Sequence, residues 1–199
     1  HPPVRSNWVK EDGARYLVAI DIDGTLVHHD GTMTDTVKLA VADVVSAGHA
    51  VVIATGRSRQ AALPIAEMLG IQHGYMVTSN GAVTLELSPK FENGFRVIDT
   101  VKFNPTRAIA LLQEKVPYAQ MALEAPTGEI YATANFEDGS FGAKTIAVTK
   151  AELLEKESAT RVVVFAEDVD PEAFKKSIYE AGLHGVNYAV GWTAWLDLA

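Results

Sequence analysis

The sequence predicts an α/β fold: a doubly wound, Rossmann-like parallel sheet followed by a second, mixed α+β module. Three observations predict it. Short apolar, β-rich runs alternate with amphipathic helical stretches over the first eighty or so positions. Each of those runs stops at a small or polar turn. After Gly81 the alternation gives way to closely spaced strand-like runs and turn residues, the texture of a separate module.

The first run, Tyr16-Leu-Val-Ala-Ile20, reads as a strand buried on both faces. The helix after it opens at Thr34 as N-cap, with Asp35 in its first turn. Its apolar positions Val37, Val41, Val44 and Val45 recur at helical spacing, and Gly48 supplies the stop. The second strand is Ala50-Val-Val-Ile-Ala54. A helical stretch covers 58–69, with a kink or restart expected at Pro64. The third strand, Tyr75-Met-Val-Thr78, ends in Ser-Asn-Gly.

Further on, 83–87 and 95–103 read as strands, and Asn104-Pro105 opens a helix to about position 116. Strand-like runs follow at 120–124 and 129–133, while 134–149 carries no clear pattern. A helix over 150–157, a strand over 161–165, a helix over 171–181 and strands over 186–190 and 193–198 complete the chain. The expected organisation is an N-terminal extension or remnant over 1–15, a core over 16–82 and the second module over 83–199.

Composition narrows the function classes. Seventeen basic against 25 acidic residues leave a net charge of −8 over 199 residues, which argues against a general nucleic-acid or anionic-membrane surface. Cysteine is absent, which removes disulfides, thiol nucleophiles and zinc–thiolate sites. There is no apolar run long enough for a membrane span, and the first residues lack the apolar centre of a secretory signal. The expected compartment is the cytoplasm.

The chemistry gathers at the strand ends. The first strand delivers Asp21-Ile-Asp-Gly-Thr-Leu26, and carboxylates two residues apart at a strand end project to the same side. In open α/β sheets that end is where ligands bind. Asp21 and Asp23 without a neighbouring base call for a cation or a shared proton. Hard oxygen donors suit Mg²⁺, which takes one or two carboxylates together with substrate phosphate. Taken alone, the pair also reads as a solvated acidic turn. Thr55-Gly-Arg57 leaves the second strand and opens a helix, so a hydroxyl, the Gly56 amide and a helix N-terminus form an anion cradle. Arg57 either pairs with a phosphate or braces the turn by binding a carboxylate. Asn80-Gly81 leaves the third strand as a turn dipeptide whose amide can reach a ligand. Three neighbouring strand ends carrying a carboxylate pair, an anion cradle and an Asn are most economically explained by metal plus phosphate.

These residues resemble a known family. Asp21-Ile-Asp-Gly-Thr-Leu26, Ala54-Thr-Gly-Arg57 and Thr78-Ser-Asn-Gly-Ala82 are similar to the first two motifs and the third-strand loop of the haloacid dehalogenase superfamily. The similarity is greatest to its Cof-type branch, in which a large α/β cap of type C2 is inserted after the third core strand. The resemblance implies a Mg²⁺-dependent phosphatase acting on a small phosphorylated metabolite, such as a sugar phosphate. It makes Asp21 the nucleophile that forms an aspartyl-phosphate and Asp23 the general acid/base. Thr55 and the Gly56 amide would hold the phosphoryl group, and the Asp21 carboxylate and Asp23 backbone carbonyl would bind Mg²⁺.

The family pattern continues with a helix-leading lysine and a late acidic metal-binding motif, and neither follows Leu196-Asp-Leu-Ala199. The expectation is therefore a chain lacking the C-terminal part of its core, paired with the remainder of the same protein or self-associated through an exposed first strand. Asp170, at the end of an acidic run, reads as a helix N-cap before Pro171 rather than as that motif. A non-catalytic phosphoacceptor or phosphometabolite-binding module is the alternative, and an inactive fragment of the phosphatase is another. His28, His29, His49, His73 and His184 read as surface or boundary residues. Trp192 and Trp195 read as packing for the second module's sheet.

Overall fold

The computed structural model describes residues 13–28, 30–134, 142–167, 169–183, 188–190 and 194–198. His29, His184 and Trp192 lie outside the described residues. Two sheets organise the chain. The first contains β1 (Leu17–Ile20), β2 (Ala50–Ala54), β3 (Gly74–Thr78), β4 (Val83–Leu87) and β5 (Phe95–Thr100), in that order. β1, β2 and β3 are parallel, linked by α1 (Asp35–Ser46) and α2 (Arg59–Met68), whereas β4 and β5 extend the sheet antiparallel.

The second sheet follows α3 (Thr106–Lys115). It contains β6 (Gln120–Glu124), β7 (Ile130–Ala132), β8 (Ile146–Ala147), β9 (Arg161–Phe165), β10 (Tyr188–Val190) and β11 (Trp195–Leu198), with order β10-β11-β9-β6-β7-β8. α4 (Lys150–Leu154) and α5 (Pro171–Ala181) lie between its strands in sequence. Ile109 and Leu112 of α3 and Phe174 and Ile178 of α5 pack with Met121, Leu123, Val162, Val164 and Leu196 in one fully buried cluster. Each such side chain contributes about 1.5–3 kcal/mol relative to exposure. No described helix is long and apolar enough to cross a membrane.

Local chemistry explains the helix ends. The Thr34 hydroxyl accepts from the Val37 amide, and Asp170 accepts from the Ala173 amide with Pro171 at the first helical position. Asp170 is thus a cap, as its sequence context indicates.

Four expectations are corrected. β1 is not buried on both faces. It pairs only with β2 among the described strands, and Leu17, Ala19 and Tyr75 share an open face on which Leu17 is 68% exposed. Strands 83–87 and 95–100 belong to the first sheet, not to the second module. Their residues Val83, Leu85 and Leu87 close the core that Ile53 and Met76 begin. Pro64 does not restart α2, which runs through it. Pro64 faces solvent, while Ala62, Ile65 and Ala66 on the opposite side are buried on the sheet, so packing outweighs the lost hydrogen bond. α2 begins at Arg59 with Ser58 as N-cap, so Thr55-Gly-Arg57 forms a loop ahead of the helix rather than its first turn.

Candidate active site

The register places the ligand-capable residues at one sheet edge. Ile20 pairs with Ile53, and Ile53 with Met76, so the chain leaves all three parallel strands at nearly the same level. After β1 the amides of Thr25, Leu26 and Val27 all converge on the Ile22 carbonyl, at 3.3, 2.9 and 3.0 Å. This tight turn buries Ile22, Leu26 and Val27 and leaves Asp21 and Asp23 exposed to solvent. Gly24, at φ +71°, supplies the left-handed residue that the turn requires. Asp21 Oδ1 accepts from the Ile22 amide at 2.8 Å, which fixes the carboxylate at the strand end.

Thr55 is buried, and its hydroxyl accepts from the Arg57 amide at 3.2 Å. Arg57 answers the alternative left open by the sequence. Its Nε and Nη2 donate to Asp23 Oδ2 and Oδ1 at 3.0 and 2.6 Å, a bidentate pair joining the first and second loops. The guanidinium braces a carboxylate here rather than standing ready for phosphate. The Asp23 hydrogen bond, followed by the charges of Asp23 and Asp21, raises the Arg57 pKa despite partial burial.

The third loop is tied to the second through the backbone. The Ser79 amide donates to the Arg57 carbonyl at 2.7 Å and the Asn80 amide to the Thr55 carbonyl at 3.2 Å. Asn80 lies directly over Gly56: a Cβ built on Gly56 would fall 2.6 Å from Asn80 Oδ1. Ser79 and Asn80 both have positive φ, +52° and +56°, a conformation of order 1–3 kcal/mol for residues other than glycine. The structure thus brings Asp23, Arg57, Thr55, Gly56 and Asn80 into one linked set, with Asp21 exposed beside it.

Three residues that sequence reasoning passed over, Arg59, Gln60 and Glu124, join this set, the last through Ser79 of the third-strand loop. The second module's β6–β7 turn is held by Arg59, whose Nη2 donates to the Thr127 carbonyl at 2.6 Å, and by Gln60, whose Nε2 donates to the Gly128 carbonyl at 2.7 Å. Ser79 Oγ lies 2.8 and 3.0 Å from the two carboxylate oxygens of Glu124, at the end of β6. Burial pushes the Glu124 carboxyl above the ordinary range, opposed by the Ser79 hydrogen bond and the charges of Arg161 and Arg59. A glutamate closing the apolar run Met-Ala-Leu-Glu124 was the available signal.

Elsewhere the histidines take local roles. His49 Nδ1 accepts from the Tyr16 amide at 3.3 Å, and the two rings meet edge to face. His28 and His73 are exposed. Trp195 donates from Nε1 to Asp197 and packs beside Phe165. Among the described residues no group of three or more His, Cys, Asp or Glu is arranged to hold a metal.

Residues 18–190 match the family of haloacid dehalogenase-like hydrolases. The chain belongs to this family. It is 42% identical over 69 residues to a Streptococcus pyogenes protein that carries a phosphatase name, covering 34% of this chain and 26% of that one. It is 34% identical over 73 residues to the 5-amino-6-(5-phospho-D-ribitylamino)uracil phosphatase of Bacillus subtilis, covering 37% and 29%. These matches therefore span under a third of those relatives' length. Among solved structures, a haloacid dehalogenase-like hydrolase from Bacteroides thetaiotaomicron superposes with a TM-score of 0.68 at 14% identity, over 94% of this chain and 71% of that one. A sugar phosphatase of haloacid dehalogenase subclass IIB superposes at 0.69 and 18% identity, over 94% and 70%. At these identities the superpositions establish the haloacid dehalogenase fold.

Proposed function

We propose that this chain carries the phosphoryl-handling loops of a Mg²⁺-dependent phosphatase that hydrolyses a small phosphorylated metabolite, a sugar phosphate, through an aspartyl-phosphate on Asp21. The observation that carries this reading is the convergence of three parallel strand ends on one edge, linked by Arg57–Asp23 and by Asn80 over Gly56. The phosphatase names of the relatives and the sugar phosphatase neighbour support it.

The donors fit a hard cation in part. Asp21 is exposed and keeps one carboxylate oxygen beyond its bond to the Ile22 amide. The Asp23 carboxylate is occupied on both oxygens by Arg57, so its backbone carbonyl is the better ligand; the turn's amides converge on Ile22 instead. When bound, Mg²⁺ offsets the repulsion between the Asp21 carboxylate and the incoming phosphate. An Asp21 oxygen attacks phosphorus as the bond to the leaving oxygen breaks, and Asp23 gives that oxygen its proton. In the second step Asp23 takes a proton from the water that attacks the phosphoaspartate. For both transfers Asp23 must exchange Arg57 for substrate. Thr55, Gly56 and Asn80 hold the phosphoryl oxygens.

Phosphate release from a panel of phosphorylated metabolites tests this. Release should require Mg²⁺ and vanish in Asp21→Asn. Turnover surviving that change refutes the covalent route, and a stable phosphoprotein without phosphate release favours the phosphoacceptor alternative.

The same reading includes a partner. The edge of β1 and its open face around Leu17 would be covered by the C-terminal remainder of the same protein or by a second copy of this chain. Intact mass and light scattering of the purified sample decide the matter. A second peptide bound to this chain supports the assignment, whereas a lone monomer active with Mg²⁺ refutes it.

A further inference from the structure

We infer that Glu124 is a positioning residue of the candidate site: from the second module it fixes Ser79, and through Ser79 the left-handed turn that lays Asn80 over Gly56. The inference rests on the phosphatase reading for its ligand, but its geometry stands independently.

Three observations carry it. First, Ser79 is fully buried and Glu124 is 2% exposed, and both carboxylate oxygens face the one Ser79 hydroxyl. A carboxylate this deep is costly to keep unless it does something an apolar side chain would not. Second, Ser79 and Asn80 hold a backbone shape that residues other than glycine avoid, and such a shape persists only where its surroundings over-determine it. The Ser79 amide bond to Arg57, the Asn80 amide bond to Thr55 and the Ser79 hydroxyl bond to Glu124 supply that determination. Third, the contact is not isolated. The turn after Glu124 is gripped by Arg59 and Gln60 at the start of the helix that follows Thr55-Gly-Arg57. One hairpin of the second module therefore touches both the start of α2, just after the second loop, and the third loop of the site.

The consequence is a direct coupling. Seating the hairpin sets the Asn80 amide, and the phosphate cradle is complete only with Glu124 in place. The charged groups around that carboxyl are Arg59 from α2, Arg161 from β9 and Asp197 from β11.

The test uses the ¹⁵N-labelled protein, with NMR of the Asn80 side-chain amide and the Gly56 backbone amide, and titration with inorganic phosphate. Glu124→Ala and Ser79→Ala should each displace both resonances in the ligand-free protein. Each should weaken phosphate binding roughly tenfold, the size of one lost charge-assisted hydrogen bond. The double variant should be no worse than either single one, because both remove the same link. Glu124→Gln, which keeps an acceptor for the Ser79 hydroxyl, should restore the native resonances. Native Asn80 and Gly56 signals in folded Ser79→Ala, or additive losses in the double variant, overturn the inference. If Glu124→Ala does not fold, Ser79→Ala and Glu124→Gln still decide it. Failure of the unaltered protein to bind phosphate counts against the phosphatase reading, while the ligand-free shifts continue to judge the positioning role.

Discussion

Replacing Asp197 by alanine should be among the most damaging single changes to the second module. Asp197 lies on β11 and Arg161 on β9, adjacent strands of one sheet. Its Oδ1 accepts from Arg161 Nε at 2.5 Å, and its Oδ2 accepts from Arg161 Nη2 at 3.0 Å and from Trp195 Nε1 at 2.9 Å. The two side chains are 7% and 19% exposed, so water cannot replace what is lost. Breaking a buried pair on one side costs about 3–5 kcal/mol, because the remaining charge keeps its desolvation penalty. Glu124, whose carboxyl also feels Arg161, offsets part of this and places the expectation at about 3 kcal/mol. With a urea dependence of about 2 kcal/mol per molar, the midpoint should fall by about 1.5 M. Tryptophan fluorescence is a suitable probe, since Trp195 touches the altered carboxylate. The double variant Arg161→Met/Asp197→Leu should recover most of the loss, as apolar replacement of a whole buried pair often does. A midpoint for Asp197→Ala within about 0.3 M of the unaltered protein, or a double variant worse than the single one, would refute the reasoning.

Two further outcomes concern the site. Gly56→Ala puts a methyl group 2.6 Å from Asn80 Oδ1 and forces that side chain aside, so phosphate binding should be lost while the thermal midpoint moves by no more than a few degrees; calorimetric titration and a melting curve check both. Glu124 has a folded pKa above the ordinary 4.5, so between 4.5 and that raised value the native state binds more of a proton there than the unfolded chain does. Its contribution to stability therefore falls as pH rises from about 4.5 through the raised value. Urea midpoints across that window should fall less steeply in Glu124→Gln, and an unchanged slope would discount burial as the cause.

Much of the site was legible because its chemistry is local. Asp21, Thr55 and Asn80 follow apolar runs whose ends the sequence marks clearly, and the Thr34 and Asp170 caps follow from residue type and position. What escaped was set by partners far along the chain. The exposed first strand was expected from the family resemblance alone, since no residue near Leu17 marks an open face, and nothing near Val83 says which sheet it will join. Thr55 and Ser58 are both capping types, and only the path of the loop shows that Ser58 caps α2 while Thr55 bonds the Arg57 amide. Arg57 had two partners open to it, and the fold supplied Asp23. Glu124 looked like the polar end of a strand; its burial follows from the approach of Ser79, 45 residues away in the chain.

The strand order of the first sheet has a consequence for synthesis. Each of its strands pairs with the one made just before it, from β1 through β5. A ribosome can therefore lay this sheet down one strand at a time, each new strand adding to the edge left by the one before. The second sheet cannot grow that way, because β9 returns to β6 rather than to β8, and β11 must slot between β9 and the earlier β10. Domains emerging first generally fold first. On a nascent chain Ser79 and Asn80 are made before β6, so for that interval their unusual backbone has the Arg57 and Thr55 carbonyls to hold it but not Glu124.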